Sequence, residues 1–199
     1  MSLSDEDLVE RVKAGEAAAF EALVIRYQKA LFNLAYRYTG NREDASDLAQ
    51  EIFIRAYQSM PGFRQEATFR TWLYQIATNL CRDNRRRRSG RPSISLDEVI
   101  ATEQGEVDRE LEDWSQSPEA LVESRLDSEA IQKLLNELPR EYRLAVILRD
   151  IEGFTYDEIA SILRCSKGTV RSRLNRGRHL LQEKITANRE LFTPFLRLM

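Results

Sequence analysis

The segment from Thr155 to Leu181 constrains the fold more tightly than any other part of the chain. Thr155-Tyr156-Asp157-Glu158 has the form of a capping box. In such a box the threonine hydroxyl takes the amide three residues on, and the glutamate reaches back to the threonine amide. Ile159, Ala160 and Leu163 then supply the apolar stripe of a short helix, and Ser166-Lys167-Gly168-Thr169 opens a longer, basic one. A short helix, a tight turn and a second helix make a helix-turn-helix. Wound as a helix, the second element puts Val170, Leu174, Gly177 and Leu181 on one side. Gly168, Ser172, Asn175, Arg176 and His179 fall opposite, flanked by Arg171, Arg173 and Arg178. Small residues at the start and long donors after them suit a helix laid in the major groove of DNA. Arginine pairs bidentately with guanine and asparagine with adenine, while Lys167, Thr169 and the helix N-terminus are placed for phosphates. A merely solvated basic face is the plain alternative, but it would not require the capping box.

Helical spacing continues through most of the chain. Ser4 and Gly15 bracket a short helix from Asp5 to Ala14. Phe20, Leu23, Val24, Tyr27, Leu31, Leu34, Ala35 and Tyr38 recur with helical period until Gly40. A third helix carries Ala45, Leu48, Ala49, Ile52, Phe53 and Ala56, and a fourth Phe69, Trp72, Leu73, Ile76, Ala77 and Leu80. After an interruption, Ser117-Pro118 opens a helix reaching about Glu137. Pro139 starts another, with Tyr142, Ala145, Val146 and Ile151 expected inward and Gly153 as its stop. No strand is expected. The fold class is therefore all-α: two small helical domains joined by a flexible acidic linker, the second containing the helix-turn-helix. The expected divisions are 1–88, a linker over 89–117, a second domain over 118–186 and an extension over 187–199. The extension holds Phe192, Phe195 and Leu198, which fit a frayed tail, an added packing helix or a partner contact.

The net charge of −2, from 30 Lys and Arg against 32 Asp and Glu, conceals segregation. Six arginines lie between Arg82 and Arg91, and eight acids between Asp97 and Asp113. For a polyanion binder the distribution outweighs the sum. The acidic N-terminus does not read as a signal peptide, and no apolar run nears the roughly 18 residues of a membrane span. A cytoplasmic protein without membrane insertion is expected. Cys81 and Cys165 lack CxxC partners and His179 is the one histidine, so no metal, cofactor or catalytic site is expected.

The fourth helix is the second informative place. With its core face filled, Tyr74 is expected to point outward, near Thr71, Thr78, Arg82 and Arg85, with Asn79 on the shoulder and Phe63 and Arg64 in the loop before. An exposed aromatic among donors and arginines suits stacking on single-stranded nucleic acid. The outward face of the third helix, Asp44, Asp47, Gln50, Glu51 and Ile54, has the wrong sign for DNA. Beyond a solvated face, it fits a protein partner with a basic surface.

Three stretches together resemble the extracytoplasmic-function (ECF) group of the sigma-70 family of bacterial RNA polymerase. They are Asp44-Ala45-Ser46-Asp47-Leu48-Ala49-Gln50-Glu51-Ile52-Phe53, then Phe69 to Asn79, and Tyr156-Asp157-Glu158-Ile159-Ala160 with Gly168-Thr169-Val170-Arg171-Ser172-Arg173. The resemblance implies that the third helix grips the β′ clamp helices of core polymerase. It implies that the fourth helix and the Phe63 loop melt and read the −10 element, and that the helix-turn-helix reads the −35 element with the helices before it docking on the β flap. It also implies an anti-sigma factor as a partner. A free-standing helix-turn-helix regulator, or a nucleic-acid enzyme, are the competing readings. The second requires a cluster of acids, metal ligands or a paired nucleophile that the sequence does not supply.

Overall fold

The computed structural model describes residues 3–89 and 129–187, with side chains from 84 to 89 excepted. The linker expected over 89–117 and the extension over 187–199 lie outside the described residues, save residues 89 and 187, as does the first part of the helix expected from Ser117. Among the described residues there is no strand.

The first domain holds α1 (Asp5–Lys13), α2 (Ala17–Thr39), α3 (Arg42–Ser59) and α4 (Phe69–Ser89), with a 3₁₀ turn at Met60–Gly62. Ser4 and Asp7 close a capping box at the start of α1, and Asn41 caps α3 through the Asp44 amide. Gly40, at φ +77°, takes the left-handed conformation that reverses the chain between α2 and α3. Leu8 and Val9 of α1, Leu23, Leu31 and Leu34 of α2, Leu48 and Ile52 of α3, and Leu73 of α4 form the core. Full burial of such side chains stabilises by about 1.5–3 kcal/mol each before the entropy of ordering them is subtracted.

The second domain holds α5 (129–137), α6 (Arg140–Val146), α7 (Tyr156–Leu163) and α8 (Lys167–Ala187). Helix α6 widens at its end into a π-helical turn, Ile147–Ile151, in which the Glu152 amide donates to the Ile147 carbonyl. The extra residue in that turn rotates the positions after it about the helix axis. This corrects one expectation: Ile151 is 37 % exposed, and Ile147 and Leu148 take the core positions. The expected capping box forms, with Thr155 accepting from the Glu158 amide and the Glu158 carboxylate accepting from the Thr155 amide. Val170, Leu174 and Gly177 of α8 are buried against α6 and α7, as their spacing predicts. At Gly177 a Cβ would lie 2.9 Å from Val146 Cγ2, so the absence of a side chain sets how closely α8 approaches α6.

The capping box yields a pH-dependent expectation. Its hydrogen bonds with the Thr155 amide and hydroxyl hold the Glu158 carboxyl below the usual carboxylate range. A depressed acid contributes stability above its unfolded pKa and loses it as pH falls through its folded value. Thr155→Ala should lower stability by about 1 kcal/mol at neutral pH, with the deficit shrinking below about pH 4. Urea unfolding of both proteins at the two pH values checks this, and a deficit independent of pH would contradict it.

Candidate nucleic-acid interface

Helix α8 presents its expected face to solvent. Gly168, Arg171, Ser172, Asn175, Arg176, Arg178 and His179 are exposed, Thr169 and Arg173 half-buried. The Ser166 hydroxyl accepts from the Thr169 amide and fixes the helix start. The cations divide into two sets. Lys167 pairs with Asp157, Arg173 with Glu141 at 3.5 Å, and Arg178 with Asp150. Those three therefore have an acid of their own domain as a competitor for phosphate. Arg176 donates to the Tyr142 hydroxyl at 3.4 Å, and His179 lies 3.6 Å from Glu183. Arg171, Ser172, Asn175 and Arg176 form the part of the face least committed to acids.

Helix α3 presents Asp47, Gln50 and Ile54 outward, with Asp44 and Glu51 half-buried. Glu51 pairs with Arg55 at 3.6 Å. Ile54 and Tyr57 are both more than half exposed, and Phe53 and Tyr57 pack edge-on against Phe20. Acids thus border an apolar ridge, a suitable surface for a basic partner with an apolar centre.

Helix α4 departs from expectation. Tyr74, expected outward, is 1 % exposed, and Thr71 and Thr78 are equally buried. The reason is the second domain, which lies on that side of α4. The Tyr74 hydroxyl donates to Glu152 Oε2 at 2.5 Å, and its ring meets Phe154 edge-on at 4.8 Å. Burial, then the Glu152 contact, raises the Tyr74 pKa, so the hydroxyl stays protonated and donating. Arg70 lies 4.0 Å from the centre of the Phe154 ring and donates to the Glu152 carbonyl at 2.6 Å. Gln75 donates to Ser161 Oγ at 2.9 Å, Thr78 to the Ile162 carbonyl, and Arg82 to the Leu163 carbonyl. Asn79 is half-buried. Arg85 lies on α4 where side chains are not described.

The Phe63 loop packs its aromatic ring onto the start of α4. Phe63 is buried among Phe69, Trp72 and the Lys13 ammonium, while Arg64 remains exposed. Beside it is a recess of about 160 Å³ lined by Glu6, Gln65 and Thr68 among others. Cys81, wholly buried, has its thiol pushed up to about 12 by desolvation. Among the described residues no group of His, Cys, Asp or Glu is arranged to hold a metal.

Sequence reasoning missed three residues that join the domains. Glu152 reaches Arg37 at 3.8 Å and Arg70 at 3.9 Å, with its side chain 10 % exposed. Phe154 fills the space beneath Arg70. Arg143 is buried and donates to the Tyr38 carbonyl at 2.6 Å across the domain boundary, and to the Leu138 carbonyl at 3.2 Å. Its Nε has no partner, and burial, then Arg140, lowers its pKa.

A helical chain that offers a groove-reading helix in one domain, and an arginine-bearing helix with an acidic neighbour in another, has the form of a two-part promoter reader. Comparison with known proteins agrees. The family model for Sigma-70 region 2 matches residues 23–91, and that for Sigma-70 region 4 matches residues 128–181. The RNA polymerase sigma-H factor of Pseudomonas aeruginosa is 35% identical over 91% of this chain and 93% of its own. The ECF RNA polymerase sigma-E factor of Escherichia coli K12 is 38% identical over 92% of this chain and 95% of its own. Among solved structures, CnrH in complex with the cytosolic domain of CnrY shares the fold, at TM-score 0.68 and 24% identity over 92% of this chain and 98% of that one. The sigma factor RpoE of Bartonella quintana, in complex with the anti-sigma factor NepR, matches at TM-score 0.64 and 25% identity over 85% of this chain and 98% of that one. The chain belongs to the ECF group of the sigma-70 family. It is an RNA polymerase sigma factor, a non-enzymatic initiation subunit, and the free-standing regulator is not favoured.

The Arg143 contacts generate a prediction. Arg143→Met keeps much of the apolar stem but removes the guanidinium that donates to the Tyr38 and Leu138 carbonyls. It should cost about 3 kcal/mol in urea unfolding. An unchanged midpoint would mean that water satisfies those carbonyls equally well.

Proposed function

We propose a division of roles within this sigma factor. Residues 1–88 form the domain that binds core polymerase and the −10 element, 89–117 the linker, and 118–186 the −35 reader. Asp44, Asp47, Gln50, Glu51 and Ile54 contact the β′ clamp helices, where the exposed Asp47, two half-buried acids and an apolar residue meet a basic partner. Phe63, Arg64, Thr71, Tyr74, Thr78, Asn79, Arg82 and Arg85 serve the melted −10 strand, with α4 supplying ring and cations and the recess beside Phe63 accommodating an extruded base. Lys167, Gly168, Thr169, Arg171, Ser172, Arg173, Asn175, Arg176, Arg178 and His179 serve the −35 element. Within that set, Arg171, Ser172, Asn175 and Arg176 read bases, while Lys167, Arg173 and Arg178 hold phosphate and exchange it against Asp157, Glu141 and Asp150.

The observation that carries this reading is the exposed donor face of α8 behind the small Gly168. The protein works in the cytoplasm, where core polymerase and DNA are. The described residues contain no helix long and apolar enough to cross a membrane. Two solved relatives, CnrH and RpoE, were determined with a bound protein partner, and an anti-sigma factor is proposed for this chain too.

Two mutational experiments test these assignments. In run-off transcription with purified core polymerase, Arg176→Ala should relax the requirement at one −35 position about tenfold and leave others unchanged. Equal loss on every promoter would make Arg176 a phosphate contact. Gln50→Ala combined with Glu51→Ala should weaken core binding while helicity and unfolding stay as in the parent. Unaltered affinity for core would remove both residues from the interface.

A further inference from the structure

The segment Glu152-Gly153-Phe154 brings two unlike groups to one place on α4. The Glu152 carboxylate lies between Arg37 and Arg70 and accepts the Tyr74 hydroxyl. The Phe154 ring lies 4.8 Å from the Tyr74 ring and 4.0 Å beneath the Arg70 guanidinium. Gly153, at φ +76°, turns the chain so that the side chains before and after it both meet α4. One residue therefore offers an anion to two arginines, and the next but one offers a flat ring to an aromatic and a cation.

A nucleotide of single-stranded DNA offers the same pair, a phosphate to cations and a base to rings. The geometry points to Glu152 and Phe154 as a built-in mimic of one nucleotide, which occupies the −10 face of α4 when the two domains are together. This inference rests on the proposed assignment of α4 to the −10 strand. DNA and the second domain then compete for Arg70 and Tyr74, so α4 is shut while α8 stays exposed. The competing state reduces apparent affinity for a single strand by the fraction of molecules that are open. The neighbouring contacts, from Gln75 to Ser161, Thr78 to Ile162 and Arg82 to Leu163, make the same face continuous with α7. Anything that draws the domains apart uncovers the whole of it at once.

The test uses the full chain carrying spin labels at Glu21→Cys and Gln182→Cys, both exposed, with Cys165→Ser, Cys81 being buried. Interdomain distance is read by pulsed electron spin resonance. Binding is read by anisotropy of a fluorescein-labelled, sequence-randomised 12-nucleotide single strand. The parent should show one short distance and weak binding, and a saturating single strand should lengthen the distance. Glu152→Ala should lengthen it without DNA and tighten binding about tenfold. Glu129→Ala, which removes an equal charge at an exposed position of the same domain, should change neither. The mimic is overturned if Glu152→Ala keeps the parent distance, if it opens without binding more tightly, or if the single strand leaves the parent closed. Adding Tyr74→Ala to Glu152→Ala separates the two claims. It should abolish the gained binding while the chain stays open, and retained binding would sink the assignment of α4 rather than the release by Glu152. Circular dichroism confirms that each variant is folded, and the DNA-induced opening of the parent decides the matter if Glu152→Ala is not.

Discussion

Helix α4 has to complete two cores at once, and the rest of the structure depends on that. Its buried residues run from Phe69 and Leu73 through Ala77 and Cys81 to Tyr74, Thr78 and Thr71. At 3.6 residues per turn they cover about 200° of its circumference, roughly twice the stripe of an ordinary surface helix. One half faces α2 and α3, and the other faces α7. The second half is polar at its margins, with hydroxyls, an amide and guanidinium groups that meet backbone carbonyls, a serine hydroxyl and one carboxylate. A contact of that composition holds when its polar groups are satisfied and releases at low cost when another polar partner satisfies them. An apolar contact of the same extent would release only into water. The chemistry thus fits an interface meant to be exchanged.

Two readers joined by a linker gain affinity by being held at the spacing of their two targets, and lose it if held elsewhere. With the domains packed together, the face of α4 is covered and the face of α8 is open. In the proposed assignment core polymerase binds the ridge of α3 around Ile54, which leaves the two domains free to be set apart at promoter spacing. Under the proposed −35 assignment, the cations of α8 paired with acids of their own domain add a second restraint on free DNA binding. Each must exchange a carboxylate for a phosphate, so the gain per contact is smaller than for an unpaired arginine.

Local signals were readable where the cause is local. The N-cap at Ser4, the capping box at Thr155, the helix stop at Gly40 and the core side of α8 all follow from a few consecutive residues, and all are present. The misreadings have non-local causes. Tyr74 lies opposite the apolar stripe of α4, and a single-helix projection holds no information about a second domain covering that side. Ile151 falls inward only if the helix keeps its period, and the π-helical turn that ends at Ile151 breaks that period. Arg143 and Glu152 look like ordinary surface charges in a chain that is 31% charged. Burial of Arg143 depends on backbone carbonyls from the far side of a domain boundary, and no residue-type pattern encodes those. The family assignment was readable because it rests on three motifs in order, each local.

The central claim is that both readers act together, and only when core polymerase holds them apart. Footprinting on one promoter, with DNase and with permanganate in parallel, addresses it directly. With core polymerase, the chain should protect the −35 element and render thymines near −10 reactive as unpaired bases. Without polymerase it should do neither at the same concentration. Protection of both elements by the chain alone, or −35 protection with polymerase but no unpaired thymines, would contradict the account.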